Sequence, residues 1–103
     1  MKKLSSIVLL VIFSNVLEAN ISQAAQTYRL CAACHGIHAQ TKALGLSHII
    51  QGWNSEKILQ ALRGYKNGSS YGHSKMAWIM RDKTHNLSDE ELQMLANYIS
   101  KLK

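Results

Sequence analysis

The chain contains no proline and, after its N-terminal segment, no run of alternating β-branched residues. Period-two alternation is the main signal for a half-buried strand, so its absence argues against a β-rich domain and favours an all-α fold. Acidic residues are also few: 6 Asp and Glu against 12 Lys and Arg give a net charge of +6. The basic residues are scattered without interleaved aromatic residues, which argues against nucleic-acid binding. Such a surplus suits acidic protein partners or simple solubility.

A long hydrophobic run is missing as well. Residues 4–13 are almost wholly apolar, but this stretch is shorter than the roughly 20 residues that span a bilayer. Two lysines precede it, and Ser22-Gln23-Ala24, a small-x-small sequence, follows. A basic start, a short apolar run and a small-residue exit are typical of a secretory signal peptide. We therefore predict a signal peptide at residues 1–24 and a periplasmic protein; an uncleaved N-terminal anchor is the competing interpretation.

The predicted cleavage after Ala24 leaves residues 25–103 as one domain, and cleavage after Ala19 or Ala25 is the alternative. The net charge then falls to about +5, because the removed segment contains two Lys and one Glu. A domain of this length has difficulty building a sufficient core from side chains alone and usually gains stability from a metal, a disulfide or a cofactor. We expect a monomer with no stable membrane insertion after cleavage.

Three or four short helices are predicted for this domain. The first covers residues 26–34 and ends at Gly36, after which a polar loop follows. Ser55 is the predicted N-cap of the second helix, because a serine hydroxyl accepts hydrogen bonds from the free amides of the next turn. Gly64 and Gly68 are predicted to interrupt that helix. Its apolar face comprises Ile58, Leu59, Leu62 and Tyr65, at helical spacing.

The third predicted helix covers residues 74–81, and the fourth follows Ser88. Ser88 and Glu91, three residues later, form the pattern of a capping box. Asp89 and Glu90 add negative charge at the positive end of the helix dipole, so these acidic residues are interpreted as helix-starting residues and not as catalytic carboxylates. The apolar face of the fourth helix comprises Leu92, Leu95, Ala96, Ile99 and Leu102.

The sequence Cys31-Ala32-Ala33-Cys34-His35 carries the chemistry. C-x-x-C-H is the pattern for covalent haem attachment. On a helical turn the two cysteines project towards one face and can reach the two vinyl groups of a porphyrin, and the adjacent imidazole can bind the iron. We therefore predict one haem c, attached through Cys31 and Cys34, with His35 as an axial ligand of the iron.

Three other interpretations of the two cysteines are weaker. A Cys31–Cys34 disulfide is chemically reasonable in an oxidising compartment. A thioredoxin-like redox motif requires a βαβ context, of which the sequence gives no sign. A zinc site requires a second pair of ligands at suitable spacing, and the sequence lacks one.

Two methionines are candidates for the second axial ligand of the iron. A thioether ligand favours ferrous iron and suits electron transfer. Met80 is the predicted ligand and Met76 the second candidate, and His73 in the same segment is a rival that would give a lower potential. Met94 falls within the fourth helix and is interpreted as a core residue.

The chain resembles the small bacterial class I cytochromes c, in particular the monohaem cytochrome c-553 type. The resemblance extends over the whole predicted domain. It rests on Tyr28 with Cys31-Ala-Ala-Cys-His35-Gly36, Lys42-Ala43-Leu44-Gly45, Leu62-Arg63-Gly64-Tyr65-Lys66-Asn67-Gly68, Tyr71-Gly72, Leu87-Ser88-Asp89-Glu90-Glu91 and Ala96-Asn97-Tyr98-Ile99.

The resemblance implies an all-α domain of three to four short helices wrapped around one covalently bound haem, with the first and last helices crossing beside it. It implies a diffusible electron carrier and not an enzyme. It also favours Met80, which ends the segment Ala77-Trp78-Ile79-Met80 in the position of that family's methionine ligand.

Further side chains are assigned to the surroundings of the haem. Trp53 and Trp78 are interpreted as core or rim aromatics and not as specific electron conduits. Tyr65 and Tyr71 are candidate partners of the haem propionates, with packing at the surface rim as the alternative. The predicted apolar wall comprises Leu30, Leu44, Leu46, Ile49, Ile50, Leu59, Leu62, Ile79, Leu95 and Ile99. The basic residues that could surround an exposed haem edge and steer an acidic partner are Lys42, Lys66, Lys75, Arg81 and Lys83.

Three alternatives to the free electron carrier stay open. An open distal site would make the protein a gas sensor or a small enzyme. A thiol-redox protein would carry no haem. A cytochrome subunit held in an oxidase or dehydrogenase complex would share the haem chemistry and differ in the permanence of its partner.

Overall fold

The fold was analysed in a computed structural model, which describes residues 2–68 and 77–103, with side chains from residue 18 onward. Four α-helices are found in this part of the chain: α1 (Lys2–His35), α2 (Ser55–Asn67), α3 (Ala77–Thr84) and α4 (Asp89–Ser100). A short 3-10 turn, Ala43–Gly45, lies between α1 and α2. The described ranges contain no strand, and the all-α prediction is confirmed.

Helix α1 is longer than predicted. It begins at Lys2 and not at residue 26, and it runs without interruption to His35. The reason is that no glycine or proline occurs before Gly36, so nothing in the predicted signal segment breaks the helical hydrogen bonds. Gly36 ends α1 as predicted, with a φ of +89° that favours glycine. No helix in the described part of the chain combines the length and the apolar character needed to cross a membrane.

Helix α2 differs from the prediction at both ends. Its N-cap is Asn54 and not Ser55: the Asn54 side chain accepts a hydrogen bond from the Lys57 amide at 2.8 Å. Gly64 does not interrupt the helix but lies buried within it, because the cost of one glycine, about 1 kcal/mol, is small beside the burial of its neighbours. Gly68 ends α2 in the left-handed conformation, with a φ of +65°.

Helices α3 and α4 are joined by a short connection. Helix α3 continues to Thr84, three residues beyond the predicted end, and the Thr84 hydroxyl donates to the Met80 carbonyl at 2.8 Å. The predicted start of this helix lies outside the described residues. The capping box of α4 is confirmed: the Glu91 amide donates to Ser88 Oγ, and the Ser88 amide donates to Glu91 Oε1, each at 3.1 Å.

The core forms where α4 packs against both α1 and α2, and α3 packs against α2 as well. The Tyr28 and Tyr98 rings meet at the α1–α4 crossing, with centroids 5.7 Å apart. This agrees with the crossing of the first and last helices that the resemblance implied. The buried core cluster comprises Tyr28, Ala39, Ile58, Leu59, Leu62, Leu92, Leu95, Ala96 and Ile99.

The segment from Gly36 to Asn54 has little regular structure and is held by backbone hydrogen bonds. The Thr41 amide donates to the His35 carbonyl, and the Gln51 amide to the Ala39 carbonyl, both at 2.9 Å. These bonds fold the segment back beside the end of α1. An open side consequently remains between this segment, α1, α2 and α3.

Candidate cofactor site

A cavity of about 470 Å³ occupies this open side, within the usual size range of ligand sites. Three of the leucines at its wall are largely exposed: Leu30 by 64 %, Leu44 by 56 % and Leu46 by 69 %. Exposed leucines around one concave surface favour an apolar guest, because their burial by that guest removes apolar area from water. The side chains at this cavity that can bind a metal or carry charge include Cys31, Cys34, His35, His48, Met80 and Lys83.

Cys31 and Cys34 lie in the last turns of α1, and both line the cavity as half-buried free thiols. Residues three apart on a helix share a face, so the local fold alone directs both sulfur atoms to the same space. Burial raises the pKa of the Cys31 thiol to about 11; the nearby Lys83 cation opposes this shift and Cys34 adds to it. The thiols are not joined in a disulfide.

His35, the last residue of α1, is 7 % exposed and lines the cavity. Burial lowers the pKa of its imidazole, which favours the neutral ring that binds metals. Its Nδ1 atom is buried and has no hydrogen-bond partner among the described residues. Such orphaned atoms are rare, and an ion site is one of their recognised explanations.

The donor set at this cavity fits haem better than a bare metal ion. In the described ranges, no three His, Cys, Asp or Glu side chains lie close enough together to hold a metal. A porphyrin brings four ligands of its own to the iron and needs only axial ligands from the protein. One buried imidazole beside two thiols and an apolar wall therefore meets the requirements of haem c.

Met80 lies on α3 and is half-buried at the same cavity. The fold thus brings together His35 and Met80 from two helices that are distant in sequence. Met94 lies in α4, is half-buried, and belongs neither to the cavity wall nor to the buried core cluster, so the structure does not place it in the core as predicted. Met76 and His73, the other candidate ligands, lie outside the described residues.

Most of the predicted apolar wall lines the cavity, with three exceptions. Leu59 and Leu95 point into the helix-packed core instead, because the faces they occupy on α2 and α4 meet each other. Ile49 is 44 % exposed and belongs to neither region. The predicted wall residues that do line the cavity are Leu30, Leu44, Leu46, Ile50, Leu62, Ile79 and Ile99.

The two tryptophans differ in their surroundings. Trp53 lines the cavity, and the Lys57 ammonium lies 3.8 Å from the centroid of its ring, a cation–π geometry. Trp78 is 65 % exposed and is absent from the cavity wall, so it is not a core aromatic; it lines a separate groove. Tyr65 lines the cavity, whereas Tyr71 lies outside the described residues.

The five basic residues predicted to surround one edge do not form a single set. Lys83 lines the cavity, but Lys66 and Arg81 line a separate groove. Lys42 is exposed and is absent from both walls, and Lys75 lies outside the described residues.

Tyr28 has a structural role that the sequence indicated only through the family resemblance. It is 3 % exposed, and its hydroxyl donates to the Gly36 carbonyl at 2.7 Å. This bond joins the body of α1 to the turn that directly follows His35. The sequence signal was the helical spacing: Tyr28 follows Ala24 by four residues, so both lie on the same face of α1, and both are buried.

The sequence model of the Cytochrome c family matches residues 21–103. The cytochrome c-553 of Nitratidesulfovibrio vulgaris (strain Miyazaki F) is 36% identical over 87 residues, which cover 84% of this chain and 83% of the relative. The cytochrome c-553 of Helicobacter pylori (strain J99) is 35% identical over 103 residues and covers 100% of both chains. The cytochrome c-554(547) of Halothiobacillus neapolitanus is 33% identical over 79 residues, 71% of this chain and 85% of the relative.

These matches extend across all the helices that surround the cavity, not only across the C-x-x-C-H sequence. The resemblance identified from the sequence motifs is thereby confirmed. We conclude that this chain belongs to the cytochrome c family, as a small class I c-type cytochrome that carries covalently attached haem c and serves as an electron carrier.

Proposed function

We propose that this protein is an exported one-electron carrier in which Cys31 and Cys34 bind haem through thioether bonds and His35 and Met80 are the axial ligands of the iron. One observation carries the proposal: all four side chains line the same cavity, although they come from two different helices. When bound, the haem supplies a couple that gains or loses one electron. The protein holds and surrounds that group and performs no bond-making of its own.

Each of the four residues has a separate task. The two thioethers prevent loss of the cofactor outside the cell. His35 is held neutral by burial, which lowers its pKa, so no proton has to leave before it binds metal. The Met80 thioether favours the reduced state. The backbone carbonyl of Met80 accepts a hydrogen bond from the Thr84 hydroxyl. This bond links the turn that contains the ligand to the last residue of α3.

The cavity wall has two further tasks in this proposal. Apolar side chains exclude water and so disfavour additional charge at the cofactor. Occupation of both axial positions leaves no site for a substrate, which suits electron transfer and not catalysis. The net charge of +6 supports redox partners with acidic docking surfaces.

Export to the periplasm is the second part of the proposal, with residues 1–24 as a cleaved signal peptide. Its support is the basic, apolar and small-residue order of that segment. Ala24 is 4 % exposed and lies inside α1, so cleavage after it has to precede folding of this helix. Mass spectrometry of protein recovered from the periplasm gives the cut site; protein that retains residues 1–24 in the membrane fraction would contradict export as a cleaved carrier.

Absorption spectroscopy tests the ligand assignment. We expect sharp bands in the reduced protein, a weak methionine–iron band at the red end in the oxidised protein, and no response to carbon monoxide. Met80→Ala is expected to abolish the red band and allow carbon monoxide to bind, whereas Met76→Ala is the matched control and leaves both unchanged. A carbon monoxide shift in the unaltered protein would instead indicate an open site, as in a sensor or enzyme.

Covalent attachment has its own test. Cys31→Ala and Cys34→Ala are each expected to leave a single thioether, and the double variant is expected to lose its haem on denaturation in acidified acetone. Haem that stays with the double variant, or is released from the unaltered protein, would refute attachment through these residues.

A further inference from the structure

The outer face of α3 carries a second concave surface, which is separate from the haem cavity. This groove has a volume of about 330 Å³ and is lined by Lys66, Trp78, Arg81, Asp82 and His85. Arg81 and Asp82 lie three and four residues after Trp78, and His85 directly follows α3, so these residues lie along one side of the helix. The α3 residues Ile79, Met80 and Lys83 line the haem cavity instead. Helix α3 therefore separates the two surfaces.

Trp78 is the most unusual residue of this groove. A tryptophan is highly buried on average, yet this one is 65 % exposed. Tryptophan and arginine are the residue types most enriched among those that dominate binding energy at protein interfaces. An exposed indole beside Arg81, with charged residues around both, therefore has the residue composition that is typical of the centre of a protein interface.

Arg81 lies beside the C-terminal end of α2. Its Nη1 atom lies 3.2 Å from the point that a Cβ atom would occupy at Gly68, the C-cap that directly follows α2. The C-terminal end of a helix is negative, which favours a cation at this point.

The groove has a surplus of positive charge. Lys66 and Arg81 face one acidic side chain, Asp82. His85 Nδ1 lies 2.8 Å from the backbone carbonyl of Asp82. Because a carbonyl only accepts hydrogen bonds, Nδ1 is the donor in this contact, and Nε2 is the other ring nitrogen. A second copy of this chain is a poor occupant, because each copy carries a net charge of about +5 after the proposed cleavage.

We propose that the Trp78 groove is a docking surface for an acidic redox protein and forms a route to the iron other than the exposed side of the haem cavity. This inference rests on the proposed role of Met80. Only two peptide bonds connect Trp78 with Met80, so a partner seated on the indole lies close to the ligand along the backbone. A reduced partner loses one electron there and this protein gains one, with no bond formed and no proton moved.

Electron-transfer rates with an acidic protein test the proposal. The probe is a reduced plant-type [2Fe–2S] ferredoxin, mixed with the oxidised holoprotein in a stopped-flow instrument at several ionic strengths. Trp78→Ala and the charge reversal Lys66→Glu are each expected to lower the second-order rate constant about tenfold at low salt. Lys101→Glu is the matched control, because this exposed residue follows the far end of α4, and it should respond only through the change of net charge.

Two further measurements separate docking from damage. Reduction by neutral ferrocenedimethanol and the red methionine–iron band should be unchanged in Trp78→Ala, since the indole does not line the haem cavity. Amide NMR shifts on addition of a redox-inactive gallium-substituted ferredoxin should cluster at residues 66, 78, 81 and 85.

The outcomes decide between the two proposals. An unchanged ferredoxin rate in Trp78→Ala and Lys66→Glu, with NMR shifts confined to Leu30, Leu44 and Leu46 at the haem cavity, would overturn the docking surface and leave the carrier function intact. An unaltered protein that lacks the methionine–iron band would instead refute the Met80 assignment, whichever surface the ferredoxin contacts.

Discussion

Replacing Tyr28 with phenylalanine isolates one hydrogen bond between α1 and the turn after the haem-binding histidine. The Tyr28 hydroxyl donates to the Gly36 carbonyl at 2.7 Å, and the side chain is 3 % exposed. Phenylalanine keeps the ring and its contact with Tyr98 at the α1–α4 crossing. The substitution therefore removes the hydroxyl and little else.

The free-energy cost of this substitution depends on whether the Gly36 carbonyl keeps another hydrogen-bond donor. The Gly36 carbonyl also accepts from the Ala39 amide at 3.1 Å, so the substitution leaves no buried acceptor without a partner. The cost is then the net value of one hydrogen bond, about 0.5–1.5 kcal/mol, without the larger penalty of an orphaned group. In a domain of this size, a loss of about 1 kcal/mol lowers the melting temperature by about 4–8 °C.

Urea denaturation of the holoprotein, followed by haem absorbance and by circular dichroism, measures this loss. Tyr98→Phe is the matched control: its ring packs against Tyr28, but its hydroxyl makes no hydrogen bond within the described residues, so its midpoint should change little. Equal losses in the two variants would refute the argument, because the hydrogen bond would then not be their cause.

Tyrosine ionisation gives an independent check of the same geometry. Burial is the largest cause that raises the pKa of Tyr28, to about 12. In a spectrophotometric titration one of the 4 tyrosines should therefore ionise last, and Tyr28→Phe should remove that step. The persistence of the final step in the variant would show that another phenol is responsible for it.

Four further substitutions test the helix ends in the same urea assay. Gly68→Ala should destabilise the protein by about 1–2 kcal/mol, because its φ is +65° and its new methyl group would press on Arg81; an unchanged midpoint would contradict the left-handed end of α2. Asn54→Ala should lower the free energy of unfolding by about 1 kcal/mol, because it removes the N-cap of α2, whereas Ser55→Ala should change it little. A larger loss in Ser55→Ala than in Asn54→Ala would show that Ser55 is the N-cap, as predicted from the sequence. Thr84→Val should remove a buried hydrogen bond of 2.8 Å to the carbonyl four residues earlier, worth about 1 kcal/mol, and equal stability would show that this bond contributes nothing.

Local chemistry explains which features could be predicted from the sequence. Gly36 ends α1 because its backbone adopts a positive φ, and the Ser88–Glu91 capping box closes within a single turn. The C-x-x-C-H sequence directs its side chains to one side of α1 for the same reason. Each of these depends only on residues a few positions apart.

Features that depend on competition between neighbours or on packing were predicted less well. Asn54 and Ser55 are both good N-caps, and only the extended backbone of Asn54 (φ −73°, ψ 161°) decides which one acts. Gly64 is a helix breaker by propensity, yet burial between packed helices outweighs a cost of about 1 kcal/mol. Trp78 was interpreted as a packing residue from its type alone, and its exposure depends on which side of α3 faces the haem cavity.

The helical class and the covalent cofactor could be predicted because helical periodicity and motif spacing act over a few residues, and the family through the resemblance of motifs spread over the whole domain. Which apolar side chains fill the core and which line the cavity depends on the folded chain: Leu59 and Leu95 belong to the core cluster, whereas Leu30 and Leu44 remain exposed at the cavity wall. The physical reason is that both sets have the same hydrophobicity, and only the crossing of α4 with its neighbours determines which faces meet.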